Sequence, residues 1–374
     1  MMTQEFYLGL MSGTSMDGLD VVLVDFSGSA PELIAHSHAP IPTPLAQRLH
    51  RLCQPATNEI HQLAEADQLF AEFCATTVQQ LLTTCAVEPT RIQAIGSHGQ
   101  TIRHHPEGHP AYTIQLGDPN TLAVQTGIPV VADFRRKDMA LGGQGAPLVP
   151  AFHQAMFKQP EVPRVIVNLG GIANITWLPG SAEQVLGFDT GPANTLLDQW
   201  YRHCHPKAAE SYDRDGQFAT QGQVCESLLA QWLAFDYFHQ APPKSTGRDD
   251  FNLAWLHQLS GDLNAYAPAD IQATLVELTA RTVIDAIQRW LPQLPHEVFV
   301  AGGGVANPVL QAAFKRLAPA LGWHSTDTLG VDPQHVEAMA FAWLARCFMT
   351  RQPGNLPAVT GASRPAILGG LYLP

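Results

Sequence analysis

The stretch "YLGLMSGTSMDGLDVVLVDF", Tyr7 to Phe26, reads as two apolar strands joined by a small polar interruption. A two-residue hairpin turn needs only Asn-Gly or Asp-Gly chemistry. This loop instead spends Ser12, Gly13, Thr14, Ser15, Asp17 and Gly18 on the reversal, which is more hydroxyl and glycine than a turn requires. Two further glycine-bearing turns stand at comparable places, one around Gly170, Gly171 and Asn174 and one from Gly302, Gly303 and Gly304 to Asn307. Glycine lets backbone approach a ligand closely, and successive N–H groups in such turns form anion-binding concavities. A lone glycine turn is more often plain punctuation, but three at strand ends suit a triphosphate. Neither GxGxxG nor a P-loop signature occurs at them, which counts against a dinucleotide-binding fold and a P-loop ATPase.

Working outward, 374 residues exceed the size at which one hydrophobic core stops growing, so two domains are expected. With 45% hydrophobic and 14% charged residues the composition is globular. The net charge of -12 argues against nucleic acid or anionic lipid as a general partner and leaves room for a local basic pocket for one small anion. Cys53, Cys74, Cys85, Cys204, Cys225 and Cys347 form no CxxC pair, so neither zinc nor a disulfide framework is signalled. The start lacks a signal-peptide pattern and no apolar run reaches bilayer length, so a soluble cytoplasmic protein without membrane or nucleic-acid partners is expected.

Tyr7–Met11 and Leu19–Phe26 read as strands, followed by helical periodicity from Pro44 to Ala86. A strand then ends at "GSHGQ", and "YTIQLGDPNTLAVQTGIPVVADF" supplies strand, helix and strand. The pattern restarts at "PRVIVNLGGIANITWLPG", and a strand ending at Asp189 precedes a helix carrying Pro192 in its first turn. This alternation indicates α/β domains, 1–160 and 161–374, with the last helix able to cross back to the first.

Asp189, at the end of an apolar strand beside helix N–H donors, is placed as a general base for phosphoryl transfer, the alternative being a helix cap. Asp17 in the first turn suits a magnesium ion that keeps several waters, the alternative being an Asx turn. Of the histidines in "GSHGQTIRHHPEGHP", His104, His105 and His109 read as solvated loop residues and His98 as the exception at a strand end. Asp133, Arg135 and Arg136 form a basic island, where an Arg fork for substrate and a surface ion pair are equal alternatives. The Lys244–Phe251 segment is either a helix-start loop or a lid, and Glu337 faces either ligand or solvent.

Together, "GLMSGTSMDGLD", "GSHGQTIRH", "NLGGIANIT", "GFDTGPAN", "KSTGRDDFN" and "AGGGVANP" closely resemble the anhydro-N-acetylmuramic acid kinases, over nearly the whole chain. The resemblance implies a two-domain actin-like/sugar-kinase ATPase fold with an interdomain cleft. It implies an ATP- and Mg2+-dependent enzyme that opens 1,6-anhydro-N-acetylmuramic acid with water and phosphorylates O6 during peptidoglycan recycling, in a homodimer. On it, Gly13, Thr14, Ser15, Met16, Asp17, Gly18, Leu19 and Asp20 contact ATP. Gly170, Gly171 and Asn174 hold phosphate, Gly302, Gly303 and Gly304 hold adenosine, and Asp189 is the base. The sugar is placed near His98, Thr101, Arg135 and Glu337. Two other readings stay open: another sugar or carboxylic-acid kinase of this fold, and a non-enzymatic actin-like nucleotide switch.

Overall fold

The computed structural model describes residues 4–13, 16–28, 30–181, 184–248 and 250–374. The chain divides into two compact units, Met1–Met156 with His335–Pro374, and Phe157–Gln334.

In the first unit, β1 (Phe6–Met11), β2 (Gly18–Asp25) and β3 (Glu32–Pro40) form an antiparallel meander. On the other side of β1 lie β4 (Ile92–Ser97) and then β7 (Val130–Ala132), each parallel to its neighbour. A last strand, β13 (Gly370–Tyr372), closes the edge antiparallel to β7. Between β4 and β7 the chain makes a separate hairpin from β5 (Gln100–His105) and β6 (Tyr112–Leu116).

The second unit repeats this path. Here β8 (Arg164–Leu169), β9 (Ile172–Leu178) and β10 (Leu186–Pro192) form the antiparallel meander, and β11 (Glu297–Ala301) and β12 (Gly322–Ser325) add in parallel beyond β8. Both units thus carry a three-strand meander extended by parallel strands from its first member, the duplicated α/β topology of actin-like and sugar-kinase ATPases.

The inner strands read as continuous apolar runs because both their faces are covered. Leu19, Val21, Val22, Leu23 and Val24 of β2 are all buried, each side chain contributing about 1.5–3 kcal/mol by leaving water. Helix Glu59–Cys85 supplies Phe70, Cys74 and Val78 to the first core. Helix Pro268–Trp290 is sunk into the second core, buried through Leu275, Leu278, Val283 and Ile287. By contrast β3 alternates exposed and half-buried residues, as an edge strand with one solvated face does.

The division at 160/161 read from sequence kept the stretch from 335 with the second half apart from a crossing helix; in the structure everything from His335 joins the first unit. Helix Val336–Met349 lies directly on β1 and β4. Gly9 and Gly96, register partners on those strands, make this possible. A Cβ on Gly9 would collide with the Ala338 carbonyl oxygen, and one on Gly96 with that of Phe341. No described helix is long and apolar enough to cross a membrane.

Candidate active site

The first loop is closed from within. The buried Ser12 Oγ lies 2.7 Å from Gln100 Oε1 and 3.0 Å from the Gly18 carbonyl, and Gln100 Nε2 donates to the Gly13 carbonyl at 3.2 Å. The Ser12 hydroxyl therefore holds the turn. Met16 (φ 55°) donates its N–H to Gly13 O at 3.2 Å. The Met16 and Leu19 side chains belong to the core, so any ligand they meet is met by backbone. Asp17 is exposed, and its carbonyl accepts from Ile41 N at 3.1 Å. Asp20 pairs with His38 at 2.8 Å, and this bond first, opposed by partial burial, raises the His38 pKa. Thr14 and Ser15 lie outside the described residues.

His98 follows β4 and is buried against Phe341, with ring centroids 4.7 Å apart. Arg135, from helix Phe134–Ala140, donates Nε and Nη2 to His98 Nε2 at 3.2 and 2.9 Å and Nη1 to Gly145 O at 2.8 Å. Burial first, and the guanidinium second, hold the His98 pKa well below its ordinary value, so the ring is neutral with Nε2 as acceptor. The surface ion pair weighed for this island belongs instead to Arg136 and Asp133, at 2.8 Å. Thr101 Oγ1 accepts from Gln115 Nε2 at 3.1 Å. Gln115, His98, Asp133 and Arg136 line one cavity of about 150 Å³. Glu337 is half-buried one helical turn before Phe341. His109 is an exposed loop residue as expected; His105 is exposed but ends β5, and His104 also lies on β5, half-buried, with Nδ1 3.0 Å from Thr113 Oγ1. Burial, with help from Arg135 and His105, lowers the His104 pKa to about 4, so it is no solvated loop residue.

In the second unit Asp189 sits inside β10, which continues to Pro192, and the following helix is Asn194–Cys204. The strand was expected to end at Asp189 and the helix to carry Pro192. Both differ because β10 is an edge strand, where proline is tolerated, and its register breaks between Asp189 and Gly191. The capping alternative for Asp189 falls with this: Ala193 is the cap and no side chain caps the helix. The helix's first N–H groups are not aimed at a ligand either. Ala193 and Thr195 donate to Gly171 O at 3.0 Å, and Asn194 donates to Gly170 O at 3.1 Å, so the Gly170–Gly171 turn is docked on the helix start.

Asp189 pairs in register with Asn174 on β9, and Asn174 with Asn168 on β8. Register partners on neighbouring strands share a face, which makes a polar row of three across the sheet. One oxygen of the half-buried Asp189 carboxylate accepts from Thr246 N at 3.0 Å. The Asp189 N–H donates to Lys244 O at 3.2 Å, and Tyr237 OH donates to the Asp189 carbonyl at 2.8 Å. Lys244 is buried, with Nζ 2.9 Å from Tyr237 O and 4.5 Å from the Tyr237 ring centroid. Burial first, then Arg289, lowers its pKa to about 8, with Asp189 opposing. Burial also pushes the Tyr237 phenol up, and Asp189 adds to this. Lys244 and Thr246 therefore brace Asp189, where the sequence offered a helix-start loop or a lid.

Gly302 closes the same end of the sheet, with φ 82° and ψ 171°, donating to Pro333 O at 2.8 Å. A Cβ there would meet Asn168 Oδ1 at 2.5 Å and Leu169 C at 2.8 Å, so this turn is folded onto the end of β8. Gly303 is exposed, and Asn307 caps helix Pro308–Leu317 by accepting from Val309 N and Leu310 N at 3.1 and 3.2 Å. Asn168 and Tyr237 were missed in the sequence, while Lys244 and Thr246 lay in a segment that the sequence marked only as a helix-start loop or a lid, without linking it to Asp189. Of the two missed, only Asn168 carried a local signal, as the last polar residue of an apolar strand before Gly170.

A half-exposed carboxylate braced by backbone beside glycine turns is suited to taking a proton from a hydroxyl or water. The family model described as anhydro-N-acetylmuramic acid kinase matches residues 5–374. The anhydro-N-acetylmuramic acid kinase of Shewanella baltica (strain OS223) is 52% identical over 373 residues, 99% of either chain. That of Shewanella oneidensis is 52% identical over 371 residues, again 99% of each. Among solved structures, component A of the (R)-2-hydroxyglutaryl-CoA dehydratase of Acidaminococcus fermentans overlaps 90% of this chain and 96% of its own at 13% identity, with a TM-score of 0.47. The family model spans residues 5–374 and the two Shewanella relatives are about half identical over almost the full length, so the chain belongs to the anhydro-N-acetylmuramic acid kinase family.

Proposed function

We propose that this chain uses ATP and water to convert 1,6-anhydro-N-acetylmuramic acid to N-acetylmuramic acid 6-phosphate and ADP, with Asp189 as the base. The observation that carries the role of Asp189 is its bracing: the Thr246 N–H fixes the carboxylate, and Tyr237 and Lys244 fix its backbone. Asp189 withdraws a proton from water as the water oxygen bonds to the anomeric carbon. The anhydro C1–O6 bond breaks, O6 bonds to the γ-phosphorus, and ADP leaves with the electron pair of the broken P–O bond. The proton passes from Asp189 to solvent. Because phosphorus captures the departing oxygen, no second carboxyl group is needed to protonate it, in contrast to ordinary glycoside hydrolysis.

In the first unit Gly13, Met16, Gly18 and Leu19 offer backbone, and Asp17 and Asp20 carboxylates, toward ATP; Thr14 and Ser15 complete the loop. In the second unit Gly170, Gly171 and Asn174 hold phosphate and Gly302, Gly303 and Gly304 hold adenosine. Backbone dipoles already fixed in place cost no reorganisation as charge develops. Magnesium, when bound with ATP, neutralises phosphate charge. Among the described residues no group of three His, Cys, Asp or Glu side chains could hold a metal unaided. One exposed carboxylate, Asp17, fits a cation that takes its remaining ligands from phosphate and water. His98, Thr101, Arg135 and Glu337 orient the sugar, with the neutral His98 ring fixing the guanidinium of Arg135. The family resemblance also carries a cytoplasmic homodimer.

The test is to incubate the protein with ATP in 18O-labelled water and a panel of anhydro and ordinary amino sugars, following product mass. Phosphorylation of the anhydro sugar with label at the anomeric carbon is expected. Phosphorylation of ordinary sugars alone, without label, would show another kinase of this fold. ATP turnover indifferent to every sugar would show a nucleotide switch.

A further inference from the structure

We propose that a second, basic cavity in the first unit binds a small phosphate-bearing polyanion. The cavity, of about 560 Å³, is lined by Lys137, Arg351 and Arg364 around an apolar floor that includes Leu141, Pro353 and Ile367. None of its lining residues is among those assigned above to ATP, sugar or base.

Three features make this a built site. The first is charge. In a chain of net charge -12, three cations surround one hollow whose described lining holds no carboxylate. Ion pairs described elsewhere in the chain engage Arg48, Arg103, Arg136, Arg164, Arg214, Arg281, Arg316 and Arg346, none of which lines this cavity. Among the described residues, the one side-chain hydrogen bond of these three cations is from Lys137 Nζ to Gly369 O at 3.4 Å.

The second is rigidity. Buried Asp138, next to Lys137, accepts from Asn355 Nδ2 at 2.7 Å, Thr360 Oγ1 at 2.8 Å and Gly145 N at 2.9 Å. Gln144 N donates to Thr360 O and Ser363 N to Leu141 O, both at 2.8 Å. These bonds tie the wall carrying Lys137 to the wall carrying Arg364, while the Asp138 charge is turned inward and satisfied.

The third is the placement of Arg351. It has φ 59°, a left-handed conformation that favours glycine, just beyond helix Val336–Met349. Its N–H donates to Phe348 O at 3.1 Å and that of Gln352 to Cys347 O at 2.7 Å. The helix's terminal carbonyls are thus closed off, which reduces the negative pole an anion would otherwise meet. Two guanidinium forks and an ammonium match phosphate oxygens, the forks bidentately.

Calorimetry with inorganic pyrophosphate on the full chain, its nucleotide site saturated with a non-hydrolysable ATP analogue, tests this. One pyrophosphate per chain is expected, with affinity falling as salt is added. Arg364→Ala and Arg351→Gly should each weaken it about tenfold, the effect of one lost charge-assisted bond, and the triple variant with Lys137→Ala should abolish it. Arg351→Gly relieves the left-handed backbone, so the fold is retained in at least that variant. Absence of pyrophosphate binding by the native chain, or unchanged affinity in both Arg351→Gly and Arg364→Ala, overturns the proposal. Neither result bears on Asp189.

Discussion

Adding one methyl group at Gly302 is expected to damage both the fold and nucleotide binding. Its φ of 82° with ψ of 171° lies in a region populated essentially by glycine alone, and holding another residue there costs about 1–3 kcal/mol. The new Cβ would stand 2.5 Å from Asn168 Oδ1 and 2.8 Å from Leu169 C, and the latter, as backbone, cannot swing aside. Overpacking of this kind adds about 1–3 kcal/mol. Taking about 3 kcal/mol in total, Gly302→Ala populates the native turn about a hundredfold less relative to a displaced one. If ATP needs the native turn, apparent affinity falls in proportion to the fraction that keeps it, by up to the same factor. Gly303→Ala is the control for stability, since a Cβ there would meet only Asn194 Nδ2, at 3.9 Å. Denaturant unfolding and calorimetry with an ATP analogue read both quantities. If Gly302→Ala kept the native unfolding midpoint and nucleotide affinity, the turn would be neither tightly docked nor part of the site.

Gly9→Ala should cost about 3 kcal/mol or more in unfolding free energy, because helix Val336–Met349 must lift off β1; a native midpoint would contradict the close approach. Asp17→Asn should weaken the magnesium dependence of nucleotide binding while leaving metal-free binding nearly unchanged, and an unaltered magnesium titration would remove Asp17 from the metal site. Acid should destabilise the first unit through its buried histidines. Burial holds His98 well below its ordinary pKa, with help from Arg135, and lowers His153 to about 3. Below about pH 6.5 the unfolded chain takes up these protons and the folded chain does not, so unfolding free energy falls as pH drops from there toward 3, by about 1.4 kcal/mol per unit for each histidine. His153→Phe should show a shallower decline between pH 7 and 5, and an unchanged slope would refute its share.

The opening hairpin was legible because its glycine and hydroxyl residues interrupt two continuous apolar runs, and the restart at Pro163 because the same strand–glycine–strand pattern returns. Edge strands were harder to see. β3, with "ELIAHSHAP", lacks a strong apolar face, since only half-buried positions alternate with exposed ones. β10 was cut short because Pro192 is read as a helix start when the strand's place at the sheet edge is unknown. The sequence marked the Lys244–Phe251 segment but not its support of Asp189. Thr246 lies 57 positions away and acts through its backbone N–H, a group every non-proline residue possesses, so no side-chain pattern marks it. The union of His335–Pro374 with the first unit had a faint signal in Gly9 and Gly96, whose missing side chains make room for the returning helix.

The central claim is that Asp189 is the base. It is tested most directly by Asp189→Asn, which keeps the shape and the bond from Thr246 N but removes the proton acceptor. Single-turnover measurement in 18O-labelled water, alongside separate calorimetry for the ATP analogue and for the anhydro sugar, is the decisive experiment. The account predicts native-like binding of both ligands with formation of labelled sugar phosphate slowed by about a hundredfold or more. Turnover near the native rate with the label still at the anomeric carbon would contradict it.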